Sequence, residues 1–290
     1  MIPILEVKGL AKRYHDFTLK GISFEIPRGA VTAFFGPTGA GKTTLMKLLA
    51  HQIPATSGTI RVFGLSYQDR ETEIKNRIGY VPQEPVYYMD RSVEFNARFV
   101  ASFYESWDGG AFYKMLDEFK VSRGKPVKRL SRGQKTLFSI ALALAHEVDL
   151  LILDEPTAGV DAILRRTILE RFRKFVADGD RTIVVSSHIT DGLEDIAEYV
   201  NFLSDGRLTL QSEKDDLLAR WKRIHFKDSA LPPDLVRQLT DVHRQPFGSS
   251  GLTRDFSSLR ERLAAGIAAG DVKIENATLD DILIALHQGD

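Results

Sequence analysis

Gly36-Pro37-Thr38-Gly39-Ala40-Gly41-Lys42-Thr43 decides the fold. It fits the pattern G-x-x-x-x-G-K-[S/T] without departure, and its surroundings are those the pattern requires. A β-rich run, Ala30 to Gly36, leads in. The segment Lys42 to Gln52, with helical apolar spacing, leads out and is stopped by Pro54. Glycines at these positions let backbone N–H groups curl around phosphate oxygens, and the start of a helix adds a favourable dipole. Lys42 neutralises β- and γ-phosphate charge, and Thr43 offers its hydroxyl to Mg2+. The bland alternative, a Gly-rich turn with a solvated lysine, leaves the strand before it and the helix after it unexplained.

Further along, Leu150-Leu151-Ile152-Leu153-Asp154-Glu155 reads as a buried strand ending in two carboxylates. Alone, such a pair is more often a helix cap. In a chain that also carries a P-loop, Asp154 is expected to hold Mg2+ through water and Glu155 to polarise the attacking water as general base. The end of a parallel strand is where ligands bind in such sheets.

Around these two anchors, residues 4 to 10, about 19 to 26, 149 to 154 and 181 to 188 have the composition of strands, and Ala162 to Ala177 that of a helix. Strands that are apolar throughout and alternate with helices imply a parallel sheet covered on both faces. From about Met89 to Ala145 the pattern is helical, with Val93, Phe95, Phe99, Val100 and Phe103 followed by Phe112, Met115, Leu116 and Phe119. Residues 199 to 211 suggest a hairpin turning at Asp205-Gly206. Beyond Trp221 the character changes: Pro232-Pro233, a Gly/Ser-rich stretch at Gly248 to Gly251, and amphipathic segments at Leu259 to Ala269 and Leu279 to Leu286. A boundary is therefore expected near residue 220, with a small α+β appendage after it.

The 290 residues carry 39 Lys+Arg against 39 Asp+Glu, are 43% hydrophobic and include no cysteine. A chain of this size buries an adequate core without staples, and zinc ribbons and disulfide scaffolds are excluded. Zero net charge argues against a protein devoted to neutralising nucleic-acid phosphates. The opening MIPILEVKGLAKRY lacks the features of a signal peptide, and no apolar run approaches the ~20 residues of a membrane span. The expected location is the cytoplasm, with any membrane role acting through a partner.

Five further motifs follow the P-loop in order: Tyr80-Val81-Pro82-Gln83, Leu130-Ser131-Arg132-Gly133-Gln134, Asp154-Glu155-Pro156, Ala158-Gly159-Val160-Asp161 and Ser187-His188. With them the chain resembles the ATP-binding cassette (ABC) ATPase family over about residues 4 to 215. P-loops occur in many NTPases, whereas the LSRGQ pentapeptide ahead of the acidic strand points to this one. The resemblance implies an α/β fold: a P-loop NTPase core with a parallel sheet flanked by helices, an N-terminal antiparallel β subdomain and a helical insertion subdomain at about 89–145. Together these make an ATPase domain over residues 1–220, followed by the small α+β C-terminal appendage, 221–290, as an accessory domain.

By the same resemblance, ATP and Mg2+ are bound, with Gly36 to Thr43 and Thr44 around the phosphates, Thr43, Gln83 and Asp154 on the metal, and Lys42, Glu155 and His188 in hydrolysis. His188 would contact the γ-phosphate and orient Glu155, and Gln83 would sense a transmembrane partner. Ser131, Gly133 and Gln134 would meet the nucleotide of a second subunit. For Ser131, a simple helix cap is compatible with that role. Tyr14, with Phe17 as a competitor, would lie against adenine, and Asp161 is either an inter-subunit contact or the N-cap of the helix beginning at Ala162. Two departures stand out: Arg132 replaces the frequent second glycine of the signature, and Ala158-Gly159-Val160-Asp161 replaces the usual Ser-Gly-Leu-Asp.

The implied partners are a second ATPase subunit, taken as an identical copy, and a separate transmembrane subunit docking near Glu84 to Met89. The membrane is reached only through that subunit, at its inner face, and no nucleic acid is expected. Phe103 to Asp108, Ser186 to Ile189 and the ending Thr278 to Leu283 look similar to exporter-type ATPases that move drugs, peptides or lipids. Import, and a non-transport role on a ribosome, DNA or a regulatory partner, stay as alternatives.

Overall fold

VTAFF, the strand β3 (Val31–Phe35), is buried at every position. So are β7 (Leu150–Asp154) and β8 (Thr182–Ser187). A strand without a polar face can lie only inside a sheet that is covered on both sides. The computed structural model, which describes residues 3–188, 190, 192–227, 230–245 and 248–288, places all three side by side. The six-stranded sheet has the order β10-β9-β3-β8-β7-β6, with β6 at Ile78–Val81, β9 at Tyr199–Ser204 and β10 at Arg207–Glu213. The pairs β3–β8, β3–β9, β6–β7 and β7–β8 are parallel. Register aligns Phe35 with Ser187 and Asp154 with Ser186, so the chain segments leaving β3, β7 and β8 emerge at one edge. That edge is the ligand crevice of a parallel sheet.

Helix α1 (Lys42–Leu49) follows β3 directly. A second sheet is antiparallel, in the order β2-β1-β4-β5, from β1 (Leu5–Arg13), β2 (Thr18–Ile26), β4 (Ser57–Val62) and β5 (Leu65–Ser66). Its apolar side and that of the parallel sheet share one core, in which Phe24 and Phe34 meet edge to face at 5.1 Å. Helix α2 (Tyr67–Asn76) runs from β5 into β6. Sequence patterning assigned nothing between Pro54 and Tyr80, because short, half-exposed strands such as β4 carry little apolar periodicity. The helical region consists chiefly of α3 (Val93–Ala101), α4 (Gly109–Glu118) and α5 (Arg132–Ala143), with Phe112 of α4 packed against Phe138 of α5. Helix α6 (Ala162–Val176) lies between β7 and β8 in the chain.

The chain divides into two compact units, Met1–Leu210 and Gln211–Asp290. The second unit contains α7 (Lys214–Arg220), β11 (Lys222–Phe226), α8 (Pro233–Val236), β12 (Thr240–Gln245), β13 (Gly248–Thr253), α9 (Phe256–Ala268), β14 (Val272–Asn276) and α10 (Leu279–Gln288). Its sheet is antiparallel in the order β12-β13-β11-β14, so β11 to β14 form a split β-α-β arrangement. The core on one face of that sheet holds Ile224, Phe226, Leu235, Leu259, Leu263 and Val272. The Gly/Ser-rich stretch at 248 to 251 is the start of β13 rather than a loop. Small residues are needed there, since a Cβ on Gly251 would stand 3.0 Å from that of Leu239. Among the described residues, no helix is long and apolar enough to cross a membrane.

Candidate functional site

The turn from β3 into α1 is built on glycine. Gly36 has φ +155°, and a Cβ on it would stand 2.1 Å from Leu203 O. Gly41 caps α1 with φ +105° and offers no side-chain cap, which leaves the first-turn amides of the helix open toward an anion. Lys42 is 6% exposed, and its Nζ donates to Gly36 O at 2.7 Å and Pro37 O at 3.0 Å. The same Nζ lies 3.4 Å from Glu155 Oε1. Burial pulls the Lys42 ammonium below its usual range, and the Glu155 carboxylate opposes that pull.

Asp154 ends β7 with its side chain turned to this lysine-bearing turn. Its Oδ1 accepts from Ser186 Oγ at 2.7 Å and Thr43 Oγ1 at 3.2 Å. Its Oδ2 is buried and has no hydrogen-bond partner among the described residues. Gln83 Oε1 stands 3.4 Å from the Thr43 hydroxyl. Three hard oxygen donors therefore converge, one on a carboxylate with an unused buried lone pair, and this set fits Mg2+.

Burial raises the Asp154 carboxyl above its ordinary value, against the hydrogen bonds from Ser186 and Thr43. A raised carboxyl favours the folded state below the ordinary value, and this contribution is lost as pH rises through the folded one. At neutral pH the ionised Asp154 is thus a cost to the ligand-free fold. Asp154→Asn is expected to raise the thermal midpoint by about 2–4 °C at neutral pH, with a smaller gain at acidic pH. A lower midpoint in thermal unfolding would mean that the two hydroxyl bonds outweigh desolvation.

Glu155 is 8% exposed and has φ +52°, in the left-handed region that non-glycine residues enter at a cost of roughly 1–3 kcal/mol. Its N–H is held by Ser186 O at 3.2 Å and Ser186 Oγ at 3.1 Å. Its Oε2 accepts from the backbone N–H of His188 at 3.3 Å and lies 2.7 Å from His188 Nδ1. The strained backbone turns the carboxylate away from the strand and between Lys42 and His188. Ser186 joins both acids, and nothing in the motif reading gave it that task. The signal was its place two residues before His188 on a strand next to β7.

The structure thus brings together Lys42, Thr43, Gln83, Asp154, Glu155 and His188. Ser131 stands elsewhere: it caps α5, its Oγ accepting from Gln134 N at 3.2 Å while Gln134 Oε1 accepts from Ser131 N at 3.3 Å. Among the described residues, no hydrogen bond or ion pair joins this helix start to the P-loop, Asp154 or Glu155. Asp161 caps α6, Oδ1 accepting from Ile163 N and Leu164 N, both at 3.0 Å. Tyr14 is 45% exposed, with Lys12 Nζ 5.4 Å from its ring centroid. Phe17 touches the P-loop: a Cβ on Gly41 would stand 2.5 Å from Phe17 Cζ and 3.3 Å from Leu19 Cδ1. Thr44 lies in the first turn of α1. Ile189, at the end of one exporter-like stretch, is outside the described residues.

A family model described as ABC transporter matches residues 19–158. The lantibiotic transport ATP-binding protein SrtF of Streptococcus pyogenes is 35% identical over 217 residues, spanning 73% of this chain and 92% of that protein. The chain belongs to the ABC transporter ATP-binding proteins. This cassette also aligns over its full length with the bacitracin transport ATP-binding protein BcrA of Bacillus licheniformis, at 27% identity and 99% of that protein. A solved structure of an ATP-binding subunit of an ABC transporter superposes on the cassette with a TM-score of 0.67 and 27% identity, covering 74% of this chain and 92% of that one. As a member of this family, the cassette binds and hydrolyses ATP.

Proposed function

We propose that two copies of this chain close on two ATP molecules, the P-loop of one copy facing the Ser131 helix start of the other, and that the cycle drives export through a separate membrane subunit. One observation supports this reading: the P-loop, Asp154, Glu155 and His188 converge, while the helix start of α5 that carries Ser131 makes no hydrogen bond or ion pair to them among the described residues. The N-terminal dipole of that helix favours an anion, and in this reading the phosphate of the other copy's nucleotide supplies it.

In this reading Lys42 and the open amides of α1 hold the phosphates. Thr43, Gln83 and Asp154 hold Mg2+, which when bound supplies a positive charge that screens the β- and γ-phosphates. Glu155 takes a proton from the attacking water, and His188, at 2.7 Å, fixes the carboxylate and reaches toward the γ-phosphate. Hydrolysis removes the group that holds the copies closed. Gly133, Gln134 and Asp161 act across the interface, and Tyr14 or Phe17 supports the adenine.

The membrane subunit is proposed to dock on exposed rings that follow Gln83. Tyr88 meets Phe95 and Phe99 edge to face at 5.7 and 5.2 Å, and Phe99 meets Phe103 at 5.3 Å. Rings that are 37% to 66% exposed and packed edge to face on one another form a patch that a soluble surface seldom carries without a partner. In this reading the cassette works at the inner face of the cell membrane. Likeness to lantibiotic and bacitracin transport proteins supports an exported cargo of peptide or amphiphilic type. Residues 221–290 serve as an accessory domain without any of these groups.

The test is Mg2+-dependent ATP turnover per chain as a function of chain concentration. A composite site predicts a specific rate that falls on dilution, as copies separate. A specific rate that stays constant on dilution, with ATP saturating, would overturn the two-copy site.

A further inference from the structure

The departure in the signature, Arg132, meets the loop that follows Glu155. Arg132 opens α5, and Gly159 lies in the loop between Glu155 and α6. A Cβ on Gly159 would stand 2.8 Å from Arg132 Nη1, 3.0 Å from Cζ and 3.3 Å from Nε. The guanidinium thus occupies the space where the side chain of any other residue would begin. Gly159 also has φ +67°, so glycine suits the position twice over.

One residue further on the contact is repeated. A Cβ on Gly133 would stand 2.7 Å from Leu164 Cδ1 and 3.8 Å from Val160 Cγ1. The first turn of α5 is therefore pressed, at two successive residues, onto the loop after Glu155 and the first turn of α6. That loop is tightly wound: Ala158 N donates to Glu155 O at 3.1 Å and Val160 N to Thr157 O at 3.3 Å, while Ala158 and Val160 are buried. A shift at Gly159 has little slack to absorb it before Glu155. Arg132 itself has no ion pair among the described residues, so its charge does not explain where it sits. The planar shape of the guanidinium laid on a residue without a side chain does.

We propose that Arg132 is a positioning residue that clasps the loop carrying Glu155 and Asp161 to the helix start carrying Ser131 within one chain. The hydrolytic carboxylate and the surface offered to the other copy's nucleotide then move as one body. The proposal rests on the two-copy reading above and goes beyond it, since it assigns the communication between the two halves to one contact made by the arginine of the signature.

The test uses the full chain with Arg132→Gly, Arg132→Lys, Gly159→Asn and the double variant Arg132→Gly/Gly159→Asn. Asparagine enters positive φ more readily than other side chains, so Gly159→Asn adds bulk against the guanidinium with less backbone strain than they would. Both single changes are expected to lower kcat by about tenfold while KM for ATP stays within about twofold. The double variant is expected to be no slower than either single variant, because the clasp can be lost only once. Arg132→Lys, with the charge but not the plane, is expected to behave like Arg132→Gly.

Additive losses in the double variant would overturn the clasp. So would full activity of Arg132→Lys, or a loss confined to KM, either of which would make Arg132 a charge contact to nucleotide. Arg132 is exposed, so its variants are expected to keep the wild-type thermal midpoint even if Gly159→Asn does not. A wild-type specific rate that is independent of chain concentration would remove the two-copy reading, whereas the double-variant comparison would still decide whether the two residues act together.

Discussion

Glu155→Gln is expected to lower ATP turnover by about 10²–10³-fold and leave nucleotide affinity within about twofold. The replacement keeps the shape and the acceptor oxygen for His188 N–H, now 3.3 Å away, so the backbone at φ +52° has no reason to relax. What disappears is the charge that can take a proton from water. With hydrolysis blocked and binding intact, the closed two-copy form should accumulate. Light scattering on this variant is expected to show a monomer without nucleotide and a dimer with ATP. Retained turnover would move the base elsewhere. Lost turnover without a dimer, despite measured ATP binding, would mean that closure needs a different ATPase subunit or the membrane subunit.

The arrangement around Glu155 also shows which parts of the site sequence could convey. Lys42, Thr43, Asp154 and Glu155 were legible because each sits at a fixed offset from a buried strand, and both strands ended within one residue of where their composition said. His188 was legible only through the order of motifs, since a histidine after a strand carries no signal of its own. Ser186 was not legible. Its part depends on register, which sets it beside Asp154 across β7 and β8, and register between parallel strands far apart in sequence is not written in either strand. Phe17 against Gly41 was unreadable for a similar reason, because the approach of β2 to the P-loop is a tertiary fact.

The fold divides in the same way. Buried strands and amphipathic helices were visible, as was the hairpin turn at Asp205-Gly206, where both residues have positive φ. The segment from Ile53 to Tyr80 and the strands of the second unit were not. Their residues alternate weakly, and β13 begins with Gly-Ser-Ser-Gly, a composition that local propensity assigns to a loop. Pairing on both sides, with β11 and β12, overrides that propensity.

Lys42→Ala should produce the second large effect, a loss of ATP affinity of about 10²-fold, read by titration calorimetry with Mg2+ present. The ammonium is buried, pinned by two loop carbonyls and held 3.4 Å from Glu155, so it meets a phosphate without reorganising. Removing one partner of a buried, hydrogen-bonded charge contact typically costs about 2–5 kcal/mol, which brackets this factor. The ligand-free protein should respond differently. The folded Lys42 ammonium lies below its ordinary value of 10.5, so holding its proton costs stability below the folded value, and that cost is recovered as pH rises toward 10.5. Truncation removes this cost but strands the Glu155 carboxylate, and breaking one side of a buried pair is the more expensive change. Lys42→Ala is therefore expected to lower the thermal midpoint, and Lys42→Ala/Glu155→Gln to recover most of the loss without regaining ATP affinity. If the double variant melts no higher than Lys42→Ala, the loop carbonyls rather than Glu155 are what Lys42 holds in place. Should Lys42→Ala bind ATP as tightly as the wild type, the phosphate site is not the turn that opens α1.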